Sequence, residues 1–318
     1  MTDVALVTGV AGQDGSYLAE RLLADGLAVH GLVRPGSAGS PYLPRGVVVH
    51  EGDVRDADAM RRLLLDLAPR EVYNLAAVSS VARSWAEPEL VAQVNGRAVE
   101  GLLAAVAELA DRAPVAFVQA SSAEIFGAPG EAPQSEETAV APVNPYGEAK
   151  AAAHRAVAAW RDRGLFAGSA ILFSHESPRR PPSFVSRKIT RAVAAIARGE
   201  QAELVLGNTD ARRDWGWAPD HVDAMVRMAR AAEPGDFVVA TGEARSVREF
   251  VEAAFARAGV TDWSSYVRTD PDLVRPADPV EQVGDASRAR QVLGWAPTIG
   301  FEELVAHLVA ADLPNLPR

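Results

Sequence analysis

A serine, a glutamate, a tyrosine and a lysine stand at spacings suited to proton and hydride transfer. Ser122 and Glu124 follow the apolar run 114–118, which predicts a buried strand. Tyr146 and Lys150 open an alanine-rich stretch that predicts a helix, so they lie one turn apart on one face. A free tyrosine has a pKa of about 10, and a neighbouring ammonium favours its phenolate form. The spacing therefore predicts that Tyr146 acts as a base beside Lys150, above the strand that leads to Ser122.

A glycine-rich turn follows the first predicted strand, Val4–Thr8, and precedes a helical pattern over 16–23. Its glycines are spaced GxxGxxG. Glycine permits a tight turn and close approach of a pyrophosphate, and the helix N-terminus then holds the negative charge. The turn predicts dinucleotide binding by Gly9, Gly12, Gln13, Asp14 and Gly15.

The residue after the second predicted strand, Ala28–Val33, bears on the choice between NAD and NADP. That residue is Arg34, whereas an NAD site usually carries Asp or Glu there. A cation suits a 2′-phosphate, so the sequence predicts NADP. Asp53, after the third predicted strand, is expected either to accept a hydrogen bond from adenine or to cap the helix that starts near Asp56.

Strands alternate with helices through the first half of the chain, which predicts an α/β fold with a doubly wound parallel (Rossmann) sheet. We predict that residues 1–165 form the NADP-binding domain and carry the catalytic residues. Residues 166–318 are expected to form mainly a smaller, mixed α/β substrate-binding lobe, with the chain crossing back and forth. Four basic residues of this lobe are candidates for binding a diphosphate: Arg179, Lys188, Arg213 and Arg275.

Composition excludes several classes of protein. A chain of 318 residues can form one large or two closely joined domains, and its net charge of −10 argues against nonspecific nucleic-acid binding. With no cysteine, the chain has no disulfide, thiol catalysis or thiolate metal site, and we expect no metal. The composition fits a reducing cytoplasm. No apolar run of about 18 residues and no leader pattern occur, so a soluble protein without a membrane partner is expected.

Longer stretches carry a resemblance to the extended short-chain dehydrogenase/reductase family, and within it to the enzymes that dehydrate GDP-mannose. The GxxGxxG and YxxxK patterns are typical of the whole superfamily, whereas HESPRR, RKITRAV and DWG resemble the GDP-mannose enzymes in particular. The resemblance covers nearly the whole chain. Its stretches are TGVAGQDGSYLAE (8–20), YNLAA (73–77), LFSHESPRR (172–180), FVSRKITRAVAA (184–195), LGNTDARRDWG (206–216), ATGEARSVREFVEAA (240–254) and Arg275-Pro276.

This resemblance implies a reaction and a catalytic set. Tyr146, as phenolate beside Lys150, would take the proton of the sugar 4-hydroxyl while hydride passes from C4 to NADP, and Ser122 would donate to the developing 4-oxygen. Glu124 would remove the C5 proton. The 6-hydroxyl would leave as water and hydride would return to C6, giving GDP-4-keto-6-deoxymannose.

The resemblance also implies binding residues and an assembly. Further cofactor-binding residues would be Val54, Leu75, Ala76, Ala77 and His175, together with Tyr146 and Lys150. The nucleotide sugar would be bound by Ser79, Ser174, Glu176, Arg179, Lys188, Arg213, Arg275 and Asp278. Helices over 90–109 and after Tyr146 resemble those that build a dimer in relatives, so a homodimer is expected, with a tetramer as the alternative.

At several positions the chain departs from the family pattern. It has Ser122-Ala123-Glu124 where Thr-Ser-Glu is common, and Ser174 where asparagine is common. It reads VSSV over 78–81 in place of Gln-Ser-His-Val, and Pro35 replaces a second arginine at the head of a shortened loop.

Other functions remain open from the sequence. A reductase or 4-epimerase of the same superfamily would keep Tyr146 and Lys150 without needing Glu124, and a dehydratase of another nucleotide sugar would keep all four residues. A protein that binds NADP without turnover is a further alternative.

Overall fold

The structure, a computed structural model, describes residues 2–274, 277 and 279–313. Helices and strands alternate through its first half, and short strands with longer connections follow. The strands are β1 Val4–Thr8, β2 Ala28–Val33, β3 Val48–Glu51, β4 Glu71–Asn74, β5 Ala116–Ala120, β6 Ala167–Leu172, β7 His175–Glu176, β8 Leu204–Leu206, β9 Arg212–Asp214, β10 Gly216–Trp217, β11 Phe237–Val239, β12 Ala244–Ser246, β13 Val267–Thr269 and β14 Glu281–Gln282. The helices are α1 Gln13–Ala24, α2 Ala57–Leu67, α3 Val81–Ala86, α4 Pro88–Val91, α5 Ala98–Ala110, α6 Pro145–Arg161, α7 Val185–Ala197, α8 Ala218–Ala229, α9 Val247–Arg257, α10 Ser287–Leu293 and α11 Phe301–Asp312.

Seven parallel strands form the central sheet, in the order β11-β6-β5-β4-β1-β2-β3. The strand order reverses between β1 and β4, which makes the carboxyl ends of these strands the switch point where ligands bind in open α/β sheets. The predicted doubly wound parallel sheet is confirmed.

Apolar side chains cover both faces of this sheet because successive residues of a strand point to opposite sides. In β1, Ala5 and Val7 pack on the side that includes Leu18 and Leu22 of α1. Leu6 packs on the other side, in a core that α2, α5 and α6 share. The carboxyl ends of the strands therefore lie in a sheet that is packed between two layers of helices.

A smaller lobe of helices and short strands lies beside the carboxyl ends of the sheet. Its own core is shared by α7, α9 and α11, and its largest sheet has the order β12-β9-β14. Ser246 and Glu249 form a capping box that starts α9, because each side chain bonds the other residue's backbone N–H. Two strands of this half of the chain, β6 and β11, belong to the central sheet.

The stretch predicted as one helix over 90–109 is wound in three parts. A π-helical segment over 92–97 separates α4 from α5. Within it, the Asn95 side chain accepts from the backbone N–H of Val78 over 2.8 Å and donates to its carbonyl over 3.0 Å. Asn95 thereby ties the helix to the segment that follows β4. Of the helices described, none has the length and apolar character needed to cross a bilayer.

Candidate active site

One cavity of about 250 Å³ lies above the carboxyl ends of the central strands, between the sheet and the smaller lobe. Both halves of the chain line it. The sheet side contributes Asp14, Leu75, Ala77, Ser79, Ser80, Val81, Ala82, Ala120, Ser121, Ser122, Ala123, Glu124, Tyr146 and Lys150, and the lobe contributes Leu172, Phe173, Ser174, His175, Glu176, Arg180, Ser183, Phe184, Val185, Arg213, Trp215 and Gln282. All four predicted catalytic residues therefore line one cavity.

Helix α6 positions Tyr146 and Lys150. It begins at Pro145, and both side chains are buried. The Lys150 ammonium donates to the carbonyl of Ala120 over 2.7 Å and lies 5.8 Å from the centre of the Tyr146 ring. This bond ties the lysine to the end of β5, one residue before the serines that follow that strand.

Burial and polar neighbours act in opposite directions on the ionisation of Tyr146. Burial raises the pKa of Tyr146 to about 12, although a hydrogen bond with Ser122 acts in the opposite direction. Burial likewise lowers the pKa of Lys150 to about 8, with the charge of Asp14 opposing it. The Lys150 ammonium favours the phenolate form of Tyr146, whereas desolvation favours the phenol, so the role of Tyr146 as a base stays a prediction.

Glu124 lies in a 3₁₀ turn over 123–126, directly after Ser122. Asn144 donates from Nδ2 to Oε2 of Glu124 over 2.7 Å, and the hydroxyl of Ser122 accepts from the Glu124 backbone N–H over 3.3 Å. Helix α6 packs closely on this turn, since a Cβ at Gly147 would lie 2.5 Å from the Glu124 carbonyl oxygen. Glycine next to Tyr146 is thus required for this approach.

The glycine turn between β1 and α1 has the shape of a phosphate cradle. Gly9 has φ +71°, and a Cβ there would lie 2.9 Å from the backbone nitrogen of Ala76. A Cβ at Gly15 would lie 2.3 Å from the Gly9 carbonyl oxygen. Gly12 caps α1 without a side-chain hydrogen bond, so the first-turn N–H groups are left for an anion. These residues fit a dinucleotide pyrophosphate.

Gln13 and Asp14 are fixed by the lobe. The Gln13 amide donates to the carbonyl of His175 over 3.2 Å and accepts from Ser177 over 2.9 Å. His175 Nε2 donates to Asp14 over 3.0 Å, and its Nδ1 donates to the Phe173 carbonyl over 2.7 Å. Both ring nitrogens of His175 therefore face acceptors, which favours the imidazolium.

The charges of this cluster follow from burial and pairing. Burial alone would raise the pKa of Asp14, but the charge and hydrogen bond of His175 outweigh it and lower that pKa below its usual range. Burial would lower the pKa of His175, and Asp14 outweighs it and raises that pKa. His221 stacks on His175 with ring centroids 4.4 Å apart, and burial, then the charge of His175, lowers the pKa of His221 well below its usual value.

The remaining predicted cofactor residues extend from the cavity toward β2 and β3. Leu75 and Ala77 line the cavity, whereas Ala76 packs against Gly9. Arg34 is exposed directly after β2, and Val54 is buried in the core. Asp53 is bonded by Arg55, and this bond, followed more weakly by the charge of Arg34, lowers the pKa of Asp53.

The alternative role of Asp53 as a helix cap is wrong. Asp56 caps α2 by accepting from the Ala59 N–H over 2.9 Å, so that position is taken.

Four of the predicted substrate residues line the cavity: Ser79, Ser174, Glu176 and Arg213. The guanidinium of Arg213 donates to the carbonyls of Arg212 and Pro279 over 2.7 and 2.9 Å. Glu176 accepts from Ser186 over 2.5 Å and lies 3.3 Å from Arg180. Arg180 and Glu176 thus form an ion pair in the wall of the cavity that the catalytic four also line.

Two predicted diphosphate ligands lie elsewhere. Arg179 stacks on the Tyr17 ring at 3.8 Å and donates to Ser16 and Glu20 over 3.0 and 2.7 Å, so α1 draws it away from the central cavity. Lys188 lines a second, open cavity between α7 and β8. Arg275 and Asp278 lie outside the described residues.

Sequence reasoning did not single out three residues that the structure places at the site. Asn144 holds Glu124, Arg180 lines the cavity and stacks on Phe184 at 3.8 Å, and Gln282 lines the cavity from β14. An asparagine followed by proline is typical of a helix N-cap, so Asn144 could have been identified as a cap from the sequence. For Arg180 and Gln282, no local pattern indicates which way the side chain faces.

Comparison with known proteins identifies the family. The model of the GDP-mannose 4,6 dehydratase family matches residues 6–308. GDP-mannose 4,6 dehydratase 2 of Arabidopsis thaliana is 44% identical over 330 residues, covering 99% of this chain and 88% of the relative.

Solved structures resemble this chain over its full fold. The UDP-glucose 4-epimerase of Thermus thermophilus, in complex with NAD, is 28% identical with a TM-score of 0.85, covering 98% of this chain and 99% of that one. The RMD protein of Pseudomonas aeruginosa, in complex with NADPH, is 26% identical with a TM-score of 0.82, covering 99% and 100%.

Proposed function

The chain belongs to the GDP-mannose 4,6-dehydratase family, and from this membership we propose that it dehydrates GDP-mannose to GDP-4-keto-6-deoxymannose with NADP. It is an enzyme of the lyase class, a hydro-lyase, that uses a nicotinamide cofactor. One observation carries the proposal: Ser122, Glu124, Tyr146 and Lys150 line one cavity that adjoins the glycine cradle.

The proposal of NADP in place of NAD depends on Arg34. Its side chain is exposed at the carboxyl end of β2, where the ribose of a dinucleotide lies in such sheets. Asp53, on whose charge Arg34 acts, is already bonded by Arg55. Arg34 is thus available to a 2′-phosphate.

Oxidation at C4 requires a base for the 4-hydroxyl proton, and we assign this role to Tyr146. Bound NADP would accept a hydride, return it later and, while oxidised, add positive charge within the cavity. The chain's own groups leave Tyr146 a phenol at neutral pH, so this added charge and the Lys150 ammonium together favour its phenolate. Ser122 would donate to the developing 4-oxygen, where a preorganised hydrogen bond contributes most.

Elimination of water requires a second base, and we assign it to Glu124. The 4-ketone acidifies the C5 proton, and the carboxylate that Asn144 holds would remove it. Glu124 would then return that proton to the departing 6-hydroxyl, because Ala123 has no hydroxyl to share the task. Two bases in one cavity allow oxidation and elimination without release of the sugar.

A reductase or 4-epimerase is the second candidate, since solved relatives include a UDP-glucose 4-epimerase. These reactions would not need Glu124. The partly buried contact between Asn144 and Glu124 favours the dehydratase, because it orients a carboxylate toward the same cavity as Tyr146. A reductase would consume NADPH, and an epimerase would give no 4-ketone.

Mass spectrometry of a nucleotide-sugar panel tests this proposal. Purified protein with catalytic NADP should convert GDP-mannose to a product lighter by one water, without net formation of NADPH. GDP-glucose, UDP-glucose and dTDP-glucose serve as comparison substrates. Loss of water from another nucleotide sugar and not from GDP-mannose would contradict the proposed substrate. Isomerisation of the sugar without loss of water, or stoichiometric consumption of added NADPH, would contradict the proposed dehydration.

We further propose that the enzyme works in the cytoplasm, which the absence of cysteine fits.

A further inference from the structure

Gln282 is the last residue of β14 and lines the central cavity. Its side chain is buried, with the residue 5% exposed, and its Nε2 has no hydrogen-bond partner among the described residues. Buried amide donors are nearly always paired in native proteins. An unpaired donor at the wall of a ligand cavity indicates that a ligand atom accepts from it.

The strand register places Gln282 beside Arg213. Strands β14 and β9 are parallel, and Gln282 is the Cα partner of Arg213. Neighbouring strands lie about 4.8 Å apart, and registered residues stand on the same face of a sheet. Both side chains therefore face the same part of the cavity.

The chemistry of this pair favours an anion with several acceptor oxygens. A guanidinium carries only donors, and the unpaired Nε2 of Gln282 adds up to two more N–H groups beside it. A sugar hydroxyl oxygen can accept at most two hydrogen bonds, whereas a diphosphate presents several anionic oxygens over the distance between two strands.

We propose that Gln282 is a substrate-binding residue that donates from Nε2 to a diphosphate oxygen of the nucleotide sugar, beside Arg213. This proposal rests on the proposed function, which supplies the nucleotide-sugar substrate. Gln282 takes no part in the chemical steps, because the reaction changes the hexose and leaves the diphosphate, and its contact with Gln282, unchanged.

Two variants and a neighbouring control test the contact. Gln282→Leu removes the amide at similar volume, and Gln282→Glu keeps the shape but replaces both donors with a negative charge. Glu281→Gln changes the preceding residue, which bonds Arg212 and does not line the cavity. Calorimetry with GDP gives affinity for the diphosphate without the sugar, and steady-state kinetics with GDP-mannose gives KM and kcat.

Gln282→Leu should weaken GDP binding and raise KM by about 10- to 100-fold, the range for one hydrogen bond to a charged group. Gln282→Glu should weaken both further, because its carboxylate repels the diphosphate. In both variants kcat should stay within about threefold of wild type, because the lost hydrogen bond stabilises the bound substrate and the transition state equally. Glu281→Gln should bind GDP as wild type does.

Unchanged GDP affinity in Gln282→Leu would overturn the contact. A rise in KM for GDP-mannose would then point to a contact with the sugar, and a fall in melting temperature would point to a purely structural role. Failure of the unmodified protein to bind GDP would overturn it as well. If the unmodified protein binds GDP and Gln282→Leu weakens it, but GDP-mannose is not dehydrated, the proposed function fails and the contact stands.

Discussion

Asn144 links the start of α6 to Glu124: its Nδ2 donates to Oε2 of Glu124 over 2.7 Å, while its Oδ1 accepts from the Gly147 N–H over 2.8 Å. One side chain thus caps the helix that carries Tyr146 and Lys150 and also orients the proposed C5 base. The two roles use different atoms, so substitution can separate them.

Asn144→Asp should keep the cap and disturb Glu124. Aspartate is as good an N-cap as asparagine, so the melting temperature should stay near that of wild type. Its second oxygen would face the Glu124 carboxylate, and repulsion between like charges raises the pKa of one of them. We expect the acid limb of the kcat profile to move up by about one pH unit.

Asn144→Ala is the control for this prediction, because it should cost about 1 kcal/mol of stability through the lost cap. This variant introduces no carboxylate next to Glu124, so it should not shift the acid limb of the kcat profile upward. An acid limb in Asn144→Asp that coincides with that of wild type would show that Asn144 does not act on Glu124 during turnover.

Cofactor preference should depend on Arg34. Replacement by aspartate would put a carboxylate where the ribose 2′-hydroxyl lies, which favours NAD and repels a 2′-phosphate. Binding of NADP and NAD, measured by fluorescence titration in wild type and Arg34→Asp, should show NADP preferred by the first and a reversed or flattened preference in the second. Equal binding of both cofactors by the unmodified protein contradicts the assignment.

Burial of Lys150 should leave a signature in the pH dependence of stability. Its pKa is lowered from 10.5 to about 8 in the folded chain. Between these values the unfolded chain binds more protons at this site, so the free energy of unfolding gains a contribution that rises with pH from about 8 to 10.5. Below about pH 8 both states hold the proton and this contribution is flat.

Denaturant unfolding of wild type and Lys150→Met over pH 7 to 11 measures this contribution as a difference, since other groups titrate in both. The wild-type curve should climb relative to the variant within that window. Parallel curves would show that Lys150 keeps an ordinary pKa.

Elements fixed by local patterns could be predicted from the sequence. The first strand and the glycine turn follow from adjacent residues, and β1 and β2 have the predicted bounds. Helix α6 begins at Pro145, so Tyr146 and Lys150 share a helix as their spacing indicates.

Features fixed by contacts between distant parts of the chain could not be predicted. No local pattern shows that β4 ends at Asn74, where the Thr8 hydroxyl accepts from the N–H groups of Leu75 and Ala76. Arg179 is drawn to α1, which lies about half the chain away in sequence. The pKa of Tyr146 depends on burial by several elements, which its immediate neighbours in sequence do not reveal.

We predict that the protein is a homodimer at micromolar concentration. The motive is the resemblance of the helical segment before β5, and of α6, to the helices that form a four-helix interface in relatives, together with a shortened loop after Arg34. Light scattering with size-exclusion chromatography should give the mass of two chains of 33.7 kDa. A mass of one chain or of four chains would contradict this prediction.

The Glu124→Gln variant tests the central assignment most directly, because it separates dehydration from oxidation. Glutamine keeps the shape of Glu124, and its carbonyl oxygen can still accept from Asn144. Loss of the base should slow elimination of water by about 10²–10⁴-fold, while oxidation at C4 by the cofactor, with Tyr146 as base, continues. Tyr146→Phe, in contrast, should abolish both steps.

Stopped-flow absorbance of the nicotinamide with GDP-mannose, followed by mass spectrometry of the sugar, gives the decisive result. Glu124→Gln should show reduced cofactor that forms and does not decay, with almost no loss of water. Dehydration by this variant at a rate near that of wild type would show that Glu124 is not the C5 base.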